Sequence, residues 1–149
     1  MEIRRVCDEV DFKALKAMAI QILEPLYGDQ SKALQEWFSG EGYKFAFVLA
    51  AGQEIAGFLS LKVNPAKPYL KISTLMVFDG FRRLGYGKKL LDKAKGVSKE
   101  LGFSHIKVTV SDVKQDSLNF FTKSGFVVVR EEHGKYKADS VEFTLELEV

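Results

Sequence analysis

The sequence predicts one mixed α/β domain, and three observations carry that reading. Residues 75–91 pass from an apolar stretch, Leu75-Met76-Val77-Phe78, through a basic, glycine-bearing turn into a helical pattern. Strand-like alternation recurs at Ile106, Val108 and Val110, and again at Val141, Phe143, Leu145 and Leu147. The chain has 149 residues, 46% hydrophobic and 28% charged, which suits one globular domain with a proper core.

In order, Ile3 to Val6 reads as a first strand. Asp8 or Asp11 can cap a helix whose Phe12, Leu15, Met18, Ala19 and Ile22 share a face, and Pro25 and Gly28 break it. Ala33, Leu34, Trp37 and Phe38 line a second helix, ended by Gly40 and Gly42. At that spacing Trp37 reads as core rather than as a stacking platform. Lys44–Ala50 and Glu54–Val63 form a hairpin around Ala51-Gly52-Gln53, and Gly57 marks a bulge or a close backbone approach. Residues Asn64 to Pro68 turn the chain into a fourth strand, Tyr69 to Phe78. The third helix carries Leu90, Leu91, Ala94, Val97 and Leu101 and stops at Gly102 in a left-handed cap. After the fifth strand, Asp112 can cap a fourth helix running to about Ser124, closed by Gly125. Phe126 to Arg130 is a sixth strand, and the last strand sets Glu142, Thr144, Glu146 and Glu148 on a wet face. The predicted order is β-α-α-β-β-β-α-β-α-β-β.

Composition narrows the function. No stretch is long enough to span a membrane, and Met1-Glu2-Ile3-Arg4-Arg5 lacks the apolar core of a signal peptide. The single Cys7 excludes an intrachain disulfide and leaves no cluster for a structural zinc, so the expectation is a cytoplasmic protein without metal. A net charge of +2 does not by itself argue for nucleic acid. Its distribution is uneven: seven basic residues and one acid lie between Arg82 and Lys99, against six acids between Glu131 and Glu148. Nucleic-acid binding is therefore a competing reading, ranked last because no motif for it accompanies the charge.

The strand-turn-helix at residues 75–91 is a natural anion site. The first N–H groups of a helix have no internal partner, and the helix dipole adds roughly half a positive charge there. Gly85 and Gly87 offer no side chain to keep a phosphate off the backbone, and Arg82, Arg83, Lys88 and Lys89 add charge. The dinucleotide fingerprint fails, because Leu90 stands where its third glycine belongs. The phosphate-loop pattern fails as well: its spacing is wrong, and Lys89 occupies the Ser/Thr position.

The turn does fit Arg82-x-x-Gly85-x-Gly87, which resembles the R/Q-x-x-G-x-G/A signature of the GNAT N-acetyltransferase superfamily. Downstream, Ser117-Leu118-Asn119-Phe120-Phe121-Thr122-Lys123-Ser124-Gly125-Phe126 resembles that family's second signature, and the predicted element order is similar from first strand to last. The resemblance implies a GNAT-like mixed, mostly antiparallel, twisted sheet of about seven strands with four helices. It implies acetyl-CoA as cosubstrate and direct acetyl transfer to an amine acceptor through a ternary complex. The fourth and fifth strands would part, with the pantetheine arm pairing along Leu75, Met76 and Val77, where a backbone N–H would face the thioester oxygen. The diphosphate would take N–H groups from Leu84, Gly85, Tyr86, Gly87 and Lys88, with Arg82 supporting the turn and Arg83 free for phosphate. Ser117 and Asn119 would add polar contacts to the arm.

Two positions depart from the family pattern. Where many members carry a tyrosine as general acid, this chain has Phe121, and where many carry an acid on the fourth strand it has Ser73 and Thr74. The catalytic acid and base are thus unassigned. The thiolate could leave unaided, its thiol pKa being about 8.5, with water relaying the amine proton; one of Tyr69, Tyr86, His105, Tyr136 and Glu54 could substitute; or the domain could bind acetyl-CoA without turnover, as a sensor or partner-binding module. Cys7 stands far from the motif and reads as a bystander. Glu131, Glu132 and Asp139 hint at a cationic amine acceptor but read first as solvated charge. The alternating last strand could pair across a homodimer or stand as a sheet edge.

Overall fold

The computed structural model describes residues 2–5, 24–27, 44–52, 54–64, 66–78, 80–134 and 140–149, with residues 13, 16, 17, 20, 29, 31 and 32. Its elements are β1 (Glu2–Arg5), α1 (Glu24–Tyr27), β2 (Lys44–Ala51), β3 (Glu54–Val63), β4 (Tyr69–Val77), α2 (Tyr86–Glu100), β5 (His105–Ser111), α3 (Gln115–Lys123), β6 (Val127–His133) and β7 (Val141–Glu148). They form one seven-stranded sheet in the order β1-β2-β3-β4-β5-β7-β6. Every neighbouring pair is antiparallel except β4–β5. No helix among the described residues is long and apolar enough to cross a membrane.

The helix count and element order differ from the expectation. Among the described residues two helices exceed a single turn, α2 and α3, where four helices were expected. Pro25 lies within α1, and Gly28 lies outside the described residues. Around the first two predicted helices, Lys13, Lys16, Ala17, Ile20, Ser31 and Lys32 are helical, and the other residues there, with Cys7 and Trp37, lie outside the described residues.

The hairpin forms as its spacing predicts, and Gly57 meets both conditions foreseen for it. Leu49 pairs with Gly57 but Ala50 pairs with Ile55, so the ladder slips there. A Cβ on Gly57 would also sit 2.9 Å from the Met76 carbonyl oxygen and 3.1 Å from Leu90. Next, Ala66 N–H bonds the Asn64 side chain at 3.0 Å, closing the turn that leads into β4.

α2 and α3 pack on one face of the sheet. Leu59, Leu61, Leu70, Ile72, Ile106 and Val108 meet Leu90, Leu91, Ala94 and Phe121 there. Ser98 joins that face, fully buried, whereas Leu101 lies past the helix end and is exposed. Both helices end in the same motif. Phe103 N–H bonds Ser98 O across Gly102 (φ 77°), and Phe126 N–H bonds Phe121 O across Gly125 (φ 101°). The start of α3 departs from the prediction: its N-cap is Lys114, not Asp112, whose carbonyl instead accepts from the Gln115 side chain at 2.6 Å.

The last strand is not an edge. β7 lies between β5 and β6, so it has no free side for a partner chain, and β6 is the edge strand. Nor is its polar face wholly wet, since Glu142 is buried.

Candidate active site

Two local features build the site, and both lie at the end of the sheet where β4 finishes. The parallel pairing of β4 and β5 runs only from Tyr69–His105 to Ile72–Val108. Beyond it β5 stays paired with β7 through Ser111, while β4 stays paired with β3 through Val77. The divergence begins at an irregularity in β4: Ser60 pairs with Thr74 but Leu61 pairs with Ile72, so Ser73 is an extra residue. Such a bulge bends the strand that carries it. Leu75, Met76 and Val77 therefore flank a notch, and no described strand pairs with them on the β5 side.

The second feature is the turn from β4 into α2. Phe81 N–H bonds Phe78 O at 3.1 Å, and Arg82 Nε donates to Val77 O at 3.3 Å, tying the turn to the strand end. Positive φ at Arg83 (63°) and Gly85 (79°) then reverses the backbone twice within three residues. Alternation of this kind turns successive N–H groups toward one point, forming an anion-binding concavity. The first bond of α2 is Lys89 N–H to Gly85 O, which leaves the N–H groups of Tyr86, Gly87 and Lys88 without an acceptor inside the helix. Arg82, Arg83, Lys88 and Lys89 are all exposed around them. Tyr86 stacks on Phe81, ring centres 6.3 Å apart.

Gly87 has a structural role that its place in the motif did not suggest. A Cβ there would lie 3.2 Å from the Phe120 ring, so the missing side chain lets α3 close against α2. Ser117 and Asn119 are on α3, Ser117 half-buried and Asn119 exposed. Phe121 is 4% exposed and belongs to the core, edge-on to Phe120 and to Phe126 at 5.2 Å each.

The substitute acids and bases separate by position. Tyr69 and His105 are the first residues of β4 and β5, roughly 26 Å from Val77 at about 3.3 Å per residue. They belong instead to a polar cluster at the far end of the sheet. There Ser104 Oγ lies 2.7 Å from His105 Nδ1, His105 Nε2 lies 3.3 Å from Glu146, and Lys107 sits over the Tyr69 ring. This placement removes both residues as direct participants at the notch. Glu54 begins β3 and is exposed, Tyr86 opens α2, and Tyr136 lies outside the described residues with Asp139.

A family model for the acetyltransferase (GNAT) family matches residues 12–126. The chain belongs to the GNAT acetyltransferase family. Acetyl-CoA is the cosubstrate of that family. Among solved structures, a protein from Bacillus anthracis assigned as a streptothricin acetyltransferase, in complex with acetyl coenzyme A, is 26% identical with a TM-score of 0.67. That match covers 71% of this chain and 62% of the other. The aminoglycoside 6'-N-acetyltransferase from Enterococcus faecium is 16% identical with a TM-score of 0.83, covering 99% and 97%. The ribosomal-protein-S18-alanine N-acetyltransferase from Escherichia coli is 15% identical with a TM-score of 0.81, covering 99% and 93%. The last two likenesses are of fold, and the GNAT fold is what this chain shares with them.

The sequence reading missed two features of the site. One is the bulge at Ser73; the other is Ser60, a fully buried serine within the apolar run Ile55–Val63. The out-of-place polar residue was the only signal available for either.

Proposed function

We propose that this GNAT domain is an acetyl-CoA-dependent N-acetyltransferase that transfers the acetyl group directly to a primary amine. The observation that carries the reading is the placement of the notch and the cationic turn at one end of the sheet, joined by the three residues Leu75, Met76 and Val77. A diphosphate suits that turn, with its alternating positive φ, its helix-terminal N–H groups and four exposed cations.

When bound, acetyl-CoA supplies the activated acyl group as a thioester. In this reading the backbone of Leu75 to Val77 takes the pantetheine amides as an added strand, and one of its N–H groups polarises the thioester carbonyl. The N–H groups from Leu84 to Lys88 hold the diphosphate, Arg82 braces the turn, and Arg83 and Lys88 contribute charge. Ser117 and Asn119 approach the arm from α3. The amine must lose a proton before it can attack, because an ammonium has no lone pair. The acceptor is open: the structural neighbours include an aminoglycoside acetyltransferase and one acting on a protein alanine.

A second reading, an acetyl-CoA-binding module without turnover, is favoured by one observation. Neither Phe121 nor the pair Ser73 and Thr74 provides a titratable group beside the notch.

Calorimetric titration with acetyl-CoA tests the assignment, with CoA, ATP and a short RNA as controls. Micromolar acetyl-CoA binding that weakens at least about tenfold in Arg83→Glu supports the site, since Arg83 is exposed and a charge there acts without disturbing the core. Gly87→Glu is a poorer probe, because it also collides with Phe120. Release of free CoA with a panel of amines then separates enzyme from binding module. RNA binding without acetyl-CoA binding would overturn both readings.

A further inference from the structure

The end of the sheet farthest from the notch holds a second concavity. Tyr69, His105 and Lys107 share one face of the sheet, while Leu70, Ile72, Ile106 and Val108 alternate with them and pack into the core. Glu146 on β7 stands directly opposite Lys107, and the turn before β4 adds Lys67 and Pro68. Together they line a cavity of about 360 Å³. That lies within the range of small-molecule sites, roughly 300–1,000 Å³. Solvent reaches it, since the side chains of His105, Lys107 and Glu146 are 34%, 30% and 25% exposed.

Charge decides what fits there. Glu146 divides its carboxylate between two groups, His105 Nε2 at 3.3 Å and Lys107 Nζ at 3.8 Å. A strong charge-assisted bond is shorter, about 2.7–2.9 Å. The Lys107 distance is outside hydrogen-bond range, and its other contact is the Tyr69 ring, 4.4 Å from Nζ to the ring centre. The three N–H donors of Lys107 thus find no close acceptor among the described residues. Lys67 is exposed, and its ammonium has no ion-pair partner among the described residues. Two ammonium groups against one carboxylate leave the cavity cationic even with His105 neutral. A ligand cation is repelled by both lysines, whereas an oxyanion satisfies their free donors.

We propose that this cavity is a binding site for a small oxyanion, a carboxylate or a phosphate, held between Lys67 and Lys107 with Tyr69 and His105 beside it. Such a ligand spans the β3–β4 turn and β5, and so clasps the parallel pair at the end opposite the notch. Tyr69 and Val77 are the two ends of β4, so this site is separate from the diphosphate turn. It stands independently of the acetyl-CoA reading.

An NMR titration of the backbone amides tests it, with sodium phosphate and sodium succinate added separately at constant ionic strength. Tetramethylammonium chloride is the cation control. Saturable shifts are expected at Lys67, Tyr69, His105, Lys107 and Glu146, and the anion that saturates at lower concentration tells a phosphate ligand from a carboxylate one. The amides of residues 82–89 report the diphosphate turn in the same spectra. Anion-induced shifts confined to those residues overturn the proposal, as do shifts that never saturate or that follow tetramethylammonium alone. Lys67→Gln and Lys107→Gln should each weaken binding roughly fivefold, and Glu146→Gln, which removes the competing carboxylate, should strengthen it. Lys67 lies in an exposed turn outside the strand ladder, so its variant keeps the fold. Arg83→Glu should leave the far-end shifts unchanged. Full affinity in either lysine variant, or loss of the far-end shifts in Arg83→Glu, overturns the site.

Discussion

Arg83 shows how a single residue ties strain to binding. Its φ of 63° lies in the left-handed region, which costs a non-glycine residue about 1–2 kcal/mol. Arg83→Gly relieves that strain but removes a charge beside the orphan N–H groups of α2. The variant should melt no lower than the parent, and by up to about 5 °C higher, while binding acetyl-CoA several-fold more weakly. Thermal unfolding and calorimetry on one sample check both halves, and a variant that binds at full strength would remove Arg83 from the site. Phe121 poses the opposite case. A tyrosine hydroxyl at a core position between Phe120 and Phe126 would be desolvated without a partner in that aromatic cluster. Phe121→Tyr should therefore lose about 1–3 kcal/mol of stability without gaining turnover. A rise in rate would instead show that the hydroxyl reaches the reacting atoms.

At the scale of elements, the site depends on β4 being held on one side and released on the other. β3 holds it through Gly57, whose missing Cβ lets the Met76 carbonyl approach. The neighbour in that contact is backbone and cannot rotate away, so Gly57→Ala must push β4 or strain the hairpin. A loss of about 1–3 kcal/mol is expected, seen as a melting temperature at least about 3 °C lower. Because the push falls on Met76, acetyl-CoA affinity should fall with it. Release on the other side begins at the Ser73 bulge, one residue past the last β4–β5 pair. The helices are fixed more simply. Paired bonds across Gly102 and Gly125 end them, and Phe121 and Phe126 close the second end with an edge-on contact.

On the scale of the whole molecule, the two ends of the β4–β5 pair carry different chemistry. The end with the notch bears the cationic turn, and the other end binds its own charges together through Glu146, His105 and Lys107. Ligand binding at the first end should stabilise the entire domain. At a hundredfold excess over its dissociation constant, acetyl-CoA should add about 2.7 kcal/mol. For a chain of this size that raises the melting temperature by roughly 5–10 °C. A thermal-shift titration reads it directly, and no shift at saturating acetyl-CoA would contradict the site. Because β7 is interior, association of two copies through it is closed; β6, with Val127, Val128 and Val129 exposed, is the strand at that edge of the sheet.

Much of this was legible in local pattern. The strands β2 to β7, the turn with Arg82, Gly85 and Gly87, and the helix stops at Gly102 and Gly125 all follow from short-range periodicity and backbone freedom, which neighbouring residues determine. Other features depend on partners distant in the chain. The sequence could not show that Gly87 makes room for Phe120, that Phe121 is core, or that His105 and Tyr69 stand at the wrong end of the sheet. Each depends on which elements become neighbours in space. The same holds for the Ser73 bulge and the buried Ser60, because a bulge exists only relative to the strand it pairs with. Local composition determined the elements and the anion turn; only tertiary pairing decided which strands part and which side chains face the notch, because register and contact are set by segments far apart in sequence.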